Sequence, residues 1–200
     1  MAGLYIHIPF CKQRCIYCAF YSLATGADKQ KYVDALCKEL EIRKDYLPDR
    51  KIKTVYMGGG TPSILTPEQL AMIYDALQRH YDVSDVEEFT IEANPEQLTV
   101  DYLHALRQLG FINRISMGVQ TFDDDKLKML NRRHTSAMAI EAVRNAQQIG
   151  FDNISVDLIY GIPGMTLQQW QHNLHTLSML DVQHLSCYAL TVEPGSMLDT

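Results

Sequence analysis

Along this chain of 200 residues the apolar positions follow two different periods. Short β-rich apolar runs at 4–8, 54–57, 89–92, 114–118, 154–159 and 184–190 predict six strands. Between them, apolar residues recur with helical spacing over 29–46, 67–81, 100–109, 136–149 and 167–180. The helix boundaries are marked: Thr66 precedes Pro67 at a first helical position, Thr166 stands ready to cap the helix that holds Trp170, and Gly110 and Gly150 each stop a helix before a phenylalanine and a new strand. Strand and helix alternate throughout, which implies a parallel sheet joined by helices, either doubly wound or part of a barrel.

The unusual residues gather at one end of that pattern. A cysteine-rich loop follows the first strand, GGGTPS the second, IEANPE closes the third, SMGVQTF the fourth and DLIYGIPG the fifth. Parallel sheets and barrels place ligands at the C-terminal edge, so one continuous site there is the simplest arrangement.

Composition narrows the class. With 46% apolar and 21% charged residues the chain reads as one soluble globular domain, and a net charge of -6 argues against a phosphate-backbone binder. The early run at 4–10 is broken by His7 and Pro9 and lacks a basic start, so it does not read as a signal peptide, and no apolar stretch approaches membrane-spanning length. A cytoplasmic location is expected, with any membrane contact only peripheral, through partners. The closing EPGSMLDT has the character of a turn leading onward, so a C-terminal domain beyond residue 200 is expected after a core domain at 1–200.

Three of the five cysteines, Cys11, Cys15 and Cys18, lie within eight residues as CKQRCIYC. In a reducing compartment such a cluster points to metal rather than to disulfides. CxxxCxxC supplies three thiolates with no fourth nearby, which suits a cubane iron–sulfur cluster with one open iron. Zinc is the rival and needs four ligands, for which His7 is the available fourth, although it reads more simply as a packed or hydrogen-bonded histidine. Cys37, on a helix, and Cys187, on a strand, read as small core or near-core residues. His80, His104, His134, His172, His175 and His184 read as surface, capping or strand-packing residues, His134 being set apart by its place after Arg132-Arg133. Phe10 and Phe20 are expected to bury the cysteine loop, and Asp123 to Lys126 reads as a helix N-terminus.

CKQRCIYC resembles the signature of the radical S-adenosylmethionine enzymes. Together with YIHIPFC, GGGTPS, GVQTF and DLIYGIPG it makes the chain similar, over nearly its whole length, to the oxygen-independent coproporphyrinogen III oxidase-like family. That resemblance implies an incomplete (β/α)6 barrel of α/β class with parallel strands, a 4Fe-4S cluster on Cys11, Cys15 and Cys18, and S-adenosyl-L-methionine bound on its open iron. Carried onto this sequence, it gives Gly59, Gly60 and Thr61 to the methionyl amino group and Glu92 to the ribose hydroxyls. Gln120, Arg132 and Asp157 complete the pocket, with Tyr5 and Tyr17 as further cofactor contacts.

One departure directs the reading. The oxidases carry a further cysteine two residues after the third, where this chain has Phe20. The pattern instead resembles the haem chaperone branch, which implies haem and haem-accepting proteins as partners. In that branch haem attachment is associated with an HNxxYW motif, which does not occur in these residues. The oxidase and a non-catalytic cluster or zinc protein remain the alternatives.

Overall fold

A computed structural model of the chain describes residues 2–23, 28–47 and 51–199; Met1 and Thr200, the bounds of the expected core domain, lie outside them. Six strands and six α-helices follow in order: β1 (Ala2–Ile8), α1 (Lys29–Ile42), β2 (Ile52–Gly59), α2 (Pro67–His80), β3 (Glu88–Ala93), α3 (Val100–Leu109), β4 (Arg114–Gln120), α4 (Asp124–Met129), α5 (Ser136–Ile149), β5 (Ile154–Tyr160), α6 (Leu167–Ser178) and β6 (His184–Ala189). Two short 3-10 turns, Pro62–Ile64 and Pro95–Gln97, were not evident in the periodicity. All neighbouring strands are parallel and the sheet order is β1-β2-β3-β4-β5-β6. A doubly wound sheet reverses its strand order at a switch point. This one never does, so the strands form an incomplete (β/α)6 barrel.

The predicted boundaries rest on the expected chemistry. Thr66 and Thr166 each close a capping box, with Gln69 and Gln169 reaching back to the cap amide. Gly110 and Gly150 end α3 and α5 with φ of 78° and 97°, the left-handed conformation that a side chain disfavours. Asp123 caps α4 by accepting from the amides of Asp125 and Lys126.

Each strand divides its side chains between two faces. Phe89, Ile91 and Ala93 of β3, Ile115, Met117 and Val119 of β4, and Ile154, Val156 and Leu158 of β5 are buried in the core beneath the helices. The other face is polar: Tyr56, Thr90 and Arg114 lie in one cross-strand row, Glu92, Ser116, Ser155 and His184 in the next, and Gly118, Asp157 and Ser186 in a third. Cys37 packs against the core and donates to the Met72 carbonyl at 3.6 Å, as expected. Cys187 does not: it is exposed, because the face of β6 that continues the core side is itself exposed.

Candidate functional site

The cysteine loop leaves β1 and bends over the C-terminal edge of the sheet, where Cys11, Cys15 and Cys18 line one cavity of about 580 Å3. Gly59, Gly60 and Thr61 form part of its wall at the end of β2, and Glu92, Gln120 and Asp157 enter from β3, β4 and β5. Arg132 and Tyr17 complete the set. A second hollow of about 710 Å3 runs along the exposed side of α1 between Lys38, Ile42 and Tyr46, and holds no convergent chemistry.

Most of the expected residues are therefore brought together. Tyr5 is not among the cavity's lining residues; it stacks on Tyr56 at a ring separation of 6.1 Å, with its hydroxyl 3.1 Å from His7 Nδ1. His7 is the hydrogen-bonded histidine it was read to be, its Nε2 lying 3.1 Å from the Tyr21 carbonyl. Phe10 is buried, but Phe20 is 68% exposed at the cavity mouth, so the expectation that it buries the loop is corrected.

The glycines after β2 answer to packing as well as to any ligand. A Cβ on Gly60 would lie 2.7 Å from the carbonyls of Ile8 and Phe10, and one on Gly59, where φ is +107°, would clash with the His7 ring. Bare backbone lets the amides of Gly60 and Thr61 donate to those two carbonyls, both at 2.8 Å, which ties the loop to the cysteine segment.

On the opposite side, 130–132 holds the cysteine loop. Ile16 donates its amide to the Leu130 carbonyl, Asn131 donates its side-chain amide to the Arg14 carbonyl at 2.8 Å, and Arg132 Nη1 donates to Cys15 Sγ at 3.4 Å. Arg132 also donates to the Gly118 carbonyl at 2.6 Å and to Asn94 Oδ1 at 2.7 Å. Burial opposes its charge, but Tyr17, Cys15 and Glu96 outweigh that and raise its pKa. Its neighbour Arg133 is exposed, which settles which of the two faces the site.

The carboxylates have separate environments. Glu92 accepts from the Tyr56 hydroxyl at 2.7 Å and from the Gly59 amide at 3.0 Å, so β2 fixes its direction. Asp157 is largely desolvated on β5, and burial, with the nearby Glu92 charge, pushes its pKa up to about 6 against the pull of Ser186, Arg114 and His184. Gln120 adopts φ 70° at the point where the β4–β5 register slips, which turns its side chain into the cavity. Burial raises the pKa of the Cys11 and Cys18 thiols.

Asp157 gives a pH-dependent expectation. Its folded pKa lies above the ordinary carboxylate range, so the native state holds the proton more tightly. Stability then falls as pH rises from about 4 to about 6 and is level above. Asp157→Asn should flatten that interval and stabilise the protein at pH 7 by about 1–3 kcal/mol. Denaturant melts across pH 4 to 7, roughly the interval over which the linkage acts, check it; an unchanged slope in the variant defeats the assignment.

Residues unmarked by the sequence also shape the site. Asn94, within the quoted IEANPE, and Tyr56, on the polar side of β2, carry hydrogen bonds that position Thr61, Arg132 and Glu92. The signal available was facing: Tyr56, Gly58 and Glu92 share the polar side, and Asn94 follows the strand that carries Glu92.

The residues can hold a polynuclear group. Three thiols line one wall with a guanidinium on one and a hydroxyl near another. Among the described residues no three His, Cys, Asp or Glu side chains are gathered to hold a single metal ion. Three thiolates on one cavity suit a cubane with an open iron, whereas a structural zinc needs four protein ligands.

The family model of the radical SAM superfamily matches residues 5–177. The chain is 42% identical to the heme chaperone HemW of Bacillus subtilis (strain 168), over 98% of this chain and 52% of that protein. It is 37% identical to the heme chaperone HemW of Lactococcus lactis subsp. lactis (strain IL1403), over 94% and 49%. Among solved structures it superposes on coproporphyrinogen III oxidase (HemN) from Escherichia coli with a TM-score of 0.87 at 30% identity, over 98% of this chain and 45% of that one. The chain spans about half the length of the curated relatives it matches.

Proposed function

Because the chain belongs to the radical SAM superfamily, we propose that the protein carries a 4Fe-4S cluster on Cys11, Cys15 and Cys18, binds S-adenosylmethionine beside it, and works as a haem chaperone. The observation that carries the cofactor reading is the convergence of three thiols, Arg132, Glu92 and Asp157 on one cavity at the C-terminal edge of the barrel. When bound, the pair would supply one-electron reduction of the sulfonium and the radical chemistry that follows from it.

The chain's own residues prepare that chemistry. Glu92, aimed by Tyr56 and the Gly59 amide, presents acceptor oxygens for paired hydroxyls. Arg132 places a fixed cation against Cys15. Tyr17 packs against the cluster of Leu130, Ile159 and Ile162 and gives the cavity an apolar wall on that side.

The chaperone reading rests on the similarity to two HemW proteins and on Phe20, an exposed phenyl ring where the oxidases carry a cysteine. Haem and haem-accepting proteins are the partners proposed, nucleic acid is not, and haem attachment is assigned to no described residue. Among the described residues no helix is long and apolar enough to cross a membrane; a cytoplasmic location is proposed.

The test uses the full-length protein under anaerobic conditions. Saturable haem binding and transfer to an apo-acceptor are expected, with no conversion of coproporphyrinogen III despite a loaded cluster and a strong reductant. Turnover of that porphyrinogen without haem binding would make the protein an oxidase, the reading favoured by the HemN superposition alone.

A further inference from the structure

Two of the three cluster cysteines have a side-chain donor beside them, and the two donors share one anchor. Thr61 Oγ1 lies 3.6 Å from Cys11 Sγ, and Arg132 Nη1 lies 3.4 Å from Cys15 Sγ. Asn94, at the end of β3, joins them: its Nδ2 donates to Thr61 Oγ1 at 3.2 Å and its Oδ1 accepts from Arg132 Nη2 at 2.7 Å. We infer that Asn94 is a positioning residue that aims one hydrogen-bond donor at each of two cluster thiolates, the Thr61 hydroxyl at Cys11 and the Arg132 guanidinium at Cys15.

An asparagine side chain offers one acceptor and one donor group, and here each has a single use. Reversing the amide would set its NH2 against the Arg132 guanidinium, donor facing donor, so the orientation is fixed. A threonine hydroxyl has one hydrogen. With its oxygen already accepting from Asn94, that hydrogen is free to point at Cys11; within this pair a thiolate sulfur can only accept, so the hydroxyl is the donor, and the Ser22 side chain is a second partner of the same sulfur. Thr61 is 4% exposed, so water does not compete for it. Arg132 is also held by the Gly118 carbonyl, so Asn94 and β4 together fix the guanidinium plane.

Hydrogen bonds to cluster sulfurs stabilise the more negative, reduced state and so raise the reduction potential. Asn94 touches no cysteine in the pairs described, yet it should influence the potential of the whole group through both. The inference rests on the cluster reading above and is tested by a property of the cluster rather than by turnover.

The experiment compares wild type, Asn94→Ala, Thr61→Val and the double variant, each reconstituted anaerobically without S-adenosylmethionine and titrated by electron paramagnetic resonance for its midpoint potential. Both single variants should shift the midpoint to more negative values. The double variant should shift by less than the two shifts added together, because part of the Asn94 effect passes through Thr61. Full additivity, or an unchanged midpoint in Asn94→Ala, overturns the inference. Asn94→Asp keeps the acceptor for Arg132 but cannot donate to Thr61; if it retains no cluster where Thr61→Val does, Asn94 serves assembly instead, and the inference also falls. Absence of a cluster in the wild type would sink the cofactor reading itself, a result separate from all of these.

Discussion

Cys15→Ser is expected to abolish the cluster. Wild-type protein reconstituted without oxygen should hold about four irons and four sulfides per chain, as three thiolates and an open iron permit, and the variant close to none. Serine keeps the shape of the side chain but replaces a soft thiolate by a hydroxyl that stays protonated. It also leaves the Arg132 guanidinium facing a neutral group at the position now 3.4 Å from Cys15 Sγ. Cys15 lies on a loop and is not part of the apolar core, so far-ultraviolet circular dichroism should be unchanged. Iron and sulfide analysis with visible spectra decides it. Stoichiometric zinc in anaerobically purified wild type, with no cluster obtainable on reconstitution, would overturn the assignment.

The largest effect on stability is expected at Phe89. Its ring is 1% exposed on the helix side of β3 and sits 5.0 Å from Phe111, which in turn stacks on Tyr74 at 3.9 Å and an interplanar angle of 8°. Truncation to alanine removes buried apolar area, leaves a cavity in a core that cannot close around it, and breaks an aromatic cluster joining α2, β3 and the turn after α3. A loss of about 3–5 kcal/mol is expected. Phe20→Ala, at an exposed ring, should change stability by less than about 0.5 kcal/mol and serves as the comparison. Denaturant unfolding of the two variants measures the difference; a Phe89→Ala cost under about 1 kcal/mol would show that this cluster does not hold the sheet to its helices.

The elements that could be read from the sequence were those whose cause is local. Periodicity found all six strands and the five longer helices, because one face of each, β6 excepted, is buried against the same core. The caps Thr66, Thr166, Gly110 and Gly150 were legible because a cap depends on the residue itself and its nearest neighbours. The three cysteines, Glu92, Gln120, Arg132 and Asp157 were brought to one cavity as expected, since parallel strands of equal sense carry their ends to the same edge.

What the sequence could not state was tertiary. Tyr5, which the resemblance makes a cofactor contact, lies on β1 with Tyr56 in the neighbouring register position, and Tyr56 is the residue that reaches Glu92. Cys187 and Phe20 were expected inside because they are apolar, yet burial depends on what packs over a position, which no local pattern states. Asn94 carried only the signal of following the strand that holds Glu92, because its importance lies in two partners, Thr61 and Arg132, that are 33 and 38 residues away in the chain.

The sequential strand order has a consequence for how the protein is made. Because β1 to β6 lie side by side in the order of synthesis, each new strand finds its partner already formed at the growing edge, and the sheet can assemble as the chain leaves the ribosome. The cysteine loop is the exception to that progression. It emerges after β1, but its clasp at Asn131 and Arg132 is 117 residues downstream of Arg14 and Cys15. At ordinary translation speeds the thiols therefore stand without that clasp for roughly 6 to 23 seconds. Iron and sulfide are thus best delivered once the barrel has passed its fourth strand, and until then the three thiols depend on the reducing power of their surroundings.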